Sequence, residues 1–180
     1  MTPMDILDFW YQPPMAKHWF SSTDEIDQSI RDRFKTVWEQ ARDGQLNHWQ
    51  DTAEGSLALC IVLDQFPLNM FRGEARSFST EQQAVAVSKH AMGENFDELL
   101  PKERLAFLYM PLMHSENMSD QNLAVAKFEE MGLVDNTRFS HHHRSIIERF
   151  GRFPHRNAIL GRESSAAERA YLNSEEAFKG

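Results

Sequence analysis

Apolar residues recur along this chain at three- and four-residue steps, and nowhere does a Val/Ile/Thr alternation run long enough for a strand. The pattern predicts an all-α fold. Thr2 and Pro3 open a short helix whose Ile6, Phe9 and Trp10 share a face, and Pro13 and Pro14 end it. Ser22 and Glu25 have capping-box spacing, so the next helix should start there. Ile26, Ile30, Phe34, Val37, Trp38 and Ala41 then form one buried stripe, which Gly44 stops.

From about Thr52 a helix runs through Leu57–Leu63, apolar on every side and therefore central. Asp64 ends that run and needs a partner, with Arg72 or the later arginines as candidates. Pro67 should break the helix at Phe66. Further helices are expected after Thr80, after Pro101 with a disturbance at Pro111, and after Ser119 or Asp120. A long one over residues 138–150 and a last one near Ala170–Leu172 complete the set. In the long helix Phe139, His143, Ile146 and Phe150 make the stripe, so His143 alone of three consecutive histidines should face inward.

At 180 residues the chain fits a single α-helical domain over 1–180, large enough to bury a core without staples. The one cysteine, Cys60, falls in the apolar run and reads as a small buried hydrophobe, which points to a reducing compartment, the cytoplasm. The opening residues carry no basic leader, and no apolar run approaches the roughly 18 residues that span a bilayer, so no membrane role is expected.

The formal net charge of −8 argues against a broadly basic nucleic-acid surface. Its distribution changes the picture. Between Arg138 and Arg162 six arginines face the single acid Glu148, while the remainder carries 13 basic and 26 acidic residues. The run RFGRFPHRNAILGR packs Arg149, Arg152, Arg156 and Arg162 around His155 and Asn157. Arginine forks offer bidentate donors to phosphate or carboxylate, and a helix restarting after Pro154 would add backbone amides. The primary expectation is a small anionic ligand bound by these residues together with Asp64 and Arg72. Structural ion pairing with the surplus acids is the competing reading.

His114, Glu116 and His143 are the candidates for acid–base chemistry in a hydrolase-like alternative. A metal site built on His114, Glu116 and His143 or His155 lacks the H-E-x-x-H spacing, and no metal or cofactor is expected. Ser115 has no nucleophile-elbow context. Phe150 and Phe153 could stack RNA bases, so an RNA- or protein-binding scaffold is the other alternative. A local echo links Phe66-Pro67-x-Asn69-x-x-Arg72 to Phe153-Pro154-x-x-Asn157-x-x-x-x-Arg162.

LDQFPLNMFRG, FLYMPLMHSEN with Gln121, the His143 helix and RFGRFPHRNAILGR together resemble a bacterial family of unknown function, DUF 924. The resemblance covers nearly the whole chain and implies TPR-like stacked helical hairpins, but no reaction. Leu68 stands where that family commonly has a basic residue.

Overall fold

A computed structural model describes residues 1–178, and its regular elements are helices. They fall into two compact units, one of Met1–Arg72 with Arg76–Pro111, the other of Gly73–Ala75 with the chain from Leu112 onward.

The first unit contains α1 (Pro3–Tyr11), α2 (Pro13–Ala16), α3 (Asp24–Arg42), α4 (Ala53–Cys60), α5 (Phe66–Met70), α6 (Glu81–Gly93) and most of α7 (Leu105–His114). Thr2 caps α1 in a capping box with Asp5. The cap of α3 is Thr23, one residue later than expected, because the Ser22 hydroxyl donates to Asp27 instead. The α3 stripe is buried from Ile30 to Ala41, with Phe34 stacked on Phe66 at 4.6 Å.

Pro67 does not break the chain's helical path as expected. A π-helical turn over Ile61–Gln65 joins α4 to α5, and Pro67 enters α5 in its first turn. The proline has no N–H for the Leu63 carbonyl four residues back. The Thr80 hydroxyl donates to that oxygen at 2.6 Å, and Trp38 Nε1–H donates to Thr80 Oγ1 at 3.1 Å. Pro111 likewise lies inside α7, which runs on to His114. Cys60 is fully buried, and burial pushes its thiol pKa up.

The second unit is built on α8 (Met118–Glu130) packed against α9 (Val134–Phe150), followed by α10 (Ala166–Leu172). Asn117 caps α8, its Oδ1 accepting from Ser119 N–H, where Ser119 or Asp120 was the expected cap. Asp120 instead accepts from buried Ser115 Oγ at 2.7 Å. α9 starts four residues before the expected 138, and its inward residues are Ser140, His143, Ile146 and Ile147. Phe139 is 46% exposed, so the stripe leans to the other side of His143. Gly151 ends α9 at φ 70, a left-handed conformation that costs glycine least. Phe153 then enters a core with Ile146, Ile147 and Tyr171. No helix among the described residues is long and apolar enough to cross a membrane.

Candidate functional site

The turn after Gly151 is held by one carboxylate. Glu116, in the loop between α7 and α8, accepts both arms of Arg162, Nη1 at 2.6 Å and Nη2 at 2.9 Å, and also the Phe153 N–H at 2.7 Å. Burial raises the Glu116 pKa, but the Arg162 fork and the Phe153 amide outweigh it and hold the carboxyl below its ordinary value. Arg162 Nε donates to Asn157 Oδ1 at 2.9 Å and Nη2 to the Phe153 carbonyl at 3.1 Å. Asn157, buried, donates Nδ2 to Ser164 Oγ at 3.0 Å. Arg162 therefore closes the loop on itself.

A second fork lies beside it. Arg152 Nε and Nη2 donate to the buried Glu168 at 2.7 and 2.9 Å, and Nη2 also reaches the Glu163 carbonyl. Glu168 is placed by its own capping box with Ser165 at the start of α10. The Arg152 fork lowers its pKa to about 2. Among the described residues these bonds use Nε and Nη2 of Arg152, and the two N–H groups of Nη1 remain for solvent or a ligand. Arg156 is buried, donates Nη2 to the His114 carbonyl at 2.8 Å and stacks over Phe153. Arg149 is exposed, 3.7 Å from Glu176.

Two imidazoles pack on Phe153, and a third lies beside one of them. His143 lies 6.4 Å from His114 and 5.5 Å from Phe153, ring centre to ring centre, and His155 lies 5.7 Å from Phe153. His143 Nδ1 is 2.8 Å from the Phe139 carbonyl oxygen, which can only accept. Nδ1 therefore carries the proton, and Nε2 bears the lone pair of the neutral ring. Burial, reinforced by neighbouring His114, lowers the His143 pKa to about 3. Burial and then Arg156 lower that of His155 to about 4. His155 Nδ1 is buried with no hydrogen-bond partner among the described residues.

The second unit thus gathers His114, Glu116, His143, Arg152, His155, Arg156, Asn157 and Arg162 from three stretches of sequence. Asp64 and Arg72 belong to the first unit. Arg72 forks Asp27 at 2.7 and 3.2 Å and not Asp64, which accepts from Gln65 Nε2. Two of the amides after Pro154 are also taken, since Arg156 N–H and Asn157 N–H donate to the Phe153 and Pro154 carbonyls within a three-residue turn. His143 is oriented by a backbone carbonyl where acid–base chemistry would want a carboxylate. Among the described residues no three His, Cys, Asp or Glu side chains gather so as to hold a metal ion. Sequence reasoning missed Glu168 and Phe178. The Ser165-x-x-Glu168 spacing was the readable signal for the first; the second carried none.

The family described as "Bacterial protein of unknown function (DUF924)" matches residues 6–176. A solved structure of a protein of unknown function from Agrobacterium tumefaciens is similar, at 37% identity and a TM-score of 0.90, over 95% of this chain and 96% of that one. No curated protein matches the sequence.

Proposed function

This chain belongs to the DUF924 family of bacterial proteins of unknown function, and we propose that its second unit binds a small anion-bearing molecule at His155. The observation that carries this is the unsatisfied, buried Nδ1 of His155 in a field of excess positive charge. Beyond burial, the largest cause, Arg156, His114 and Arg162 act to lower its pKa, and among the described residues Glu116 opposes them. An anion is the ligand such a field selects. The carboxylate forks hold Arg152 and Arg162 in place, and Arg152 Nη1 supplies donors beside them. Neutral His143, with its lone pair on Nε2, would accept from a hydroxyl or protonated group of the same ligand. Cytoplasmic residence belongs to this reading, supported by the single buried free thiol of Cys60.

A thermal-shift panel of inorganic phosphate, phosphosugars, nucleotides and organic acids tests it. A ligand at a hundred times its Kd stabilises by about 2.7 kcal/mol, a shift of several degrees for a chain of this size. His155→Phe should keep the unliganded melting temperature near wild type and lose the shift. A panel that never moves wild type, or moves His155→Phe equally, contradicts the reading.

A further inference from the structure

Phe178 covers the imidazole side of this centre. Its ring sits 4.5 Å from that of His143, 5.0 Å from His155 and 6.3 Å from His142. Phe153 also packs against both rings, 5.5 Å from His143 and 5.7 Å from His155. Tilted and edge-on contacts of this kind suit an aromatic quadrupole. The segment that delivers the ring lies beyond α10, so its removal opens no helix. A backbone tether holds it, the Phe178 N–H donating to Tyr171 Oη at 2.9 Å.

We propose that the cage of Phe153, His143 and His155 is a seat for a planar aromatic ring, held here by the chain's own Phe178, and that the centre's ligand is an aromatic ring bearing an anionic group that displaces it. The anionic half rests on the function proposed above; the ring seat rests on geometry alone. His155 joins the two halves, with Phe178 on its ring and the Arg156 and Arg162 field acting on its nitrogens. Because burial keeps His143 and His155 neutral near pH 7, the seat itself holds no imidazolium charge that an incoming ring would have to bury. The enclosing rings select for flatness, and the arginines for charge. A single-ring aromatic acid or aryl phosphate satisfies both.

Calorimetric titration of wild type and Phe178→Ala with phenyl phosphate, inorganic phosphate and phenol separates the two halves. Emptying the seat should tighten phenyl phosphate by about tenfold and leave inorganic phosphate unchanged, the order expected of one aromatic contact. Phe178→Leu, which retains apolar volume without a planar ring, should show a gain of the same sign and guards against misfolding of the alanine variant. Equal phenyl phosphate affinity in all three proteins overturns the proposal. A phenol gain without phosphate binding upholds the seat and overturns the anionic half together with the function above. No gain for either aromatic probe overturns the seat even if inorganic phosphate binds.

Discussion

His143 and Glu168 are both held away from their ordinary protonation, and both penalise acid. The folded protein refuses a proton at His143 until about pH 3, while the unfolded chain takes it near 6.5. Stability from this group is therefore complete above 6.5 and falls as pH drops toward 3. His155 acts with the same sign down to about 4. Glu168 adds a stabilisation that is present in full above 4.5 and is lost as pH falls toward 2. Urea unfolding at neutral and mildly acidic pH should show a loss of a few kcal/mol in wild type, and a visibly shallower loss in His143→Leu. Equal slopes would mean that His143 is not held neutral by burial. Arg152→Ala should destabilise the protein by stranding Glu168, and Arg152→Ala with Glu168→Leu should recover part of the loss, a coupling read from a double-mutant cycle. Additive effects would contradict the fork. At this scale His143 was legible, since its helical position alone placed it inward. The arginines were legible as a cluster but not as forks, because the sequence does not say which of many acids, Glu116 or Glu168, each would reach.

Among the elements, the two Phe-Pro segments solve the same problem with similar parts. In each, a buried Phe-Pro pair is followed by a buried Asn whose Oδ1 accepts from an Arg, and that Arg forks a carboxylate, Asp27 for Arg72 and Glu116 for Arg162. The echo was visible in the residue order; the carboxylate partners were not, since they lie 45 and 46 residues away. Pro67 was misjudged for a related reason. A proline removes one donor, and whether the helix breaks depends on what else can serve the freed carbonyl. Here Thr80, distant in sequence, serves Leu63. Thr80→Val should leave that oxygen unsatisfied in the core and cost about 1–3 kcal/mol in chemical denaturation. A near-neutral result would show that the proline turn is satisfied in another way.

For the molecule as a whole, the all-α reading holds because the three- and four-residue periodicity is a local property of the chain. Trp38, fully buried and donating to Thr80, should cost about 3–5 kcal/mol when truncated to alanine, measured by the urea midpoint at constant slope. The charge asymmetry was equally legible, but its consequence was not. The surplus of arginine over residues 138–162 is largely absorbed by carboxylates outside that window, Glu116, Glu168 and Glu176. What is left for a ligand is a positive field focused on one imidazole, a much smaller target than a row of free guanidinium groups. Nitrogen-resolved NMR of the His155 ring during titration with inorganic phosphate and phenyl phosphate observes that target directly. The account predicts a saturable change at Nδ1 and a rise of the His155 pKa from about 4, because a bound anion favours the imidazolium. A His155 ring whose resonances and pKa stay fixed through both titrations would contradict it.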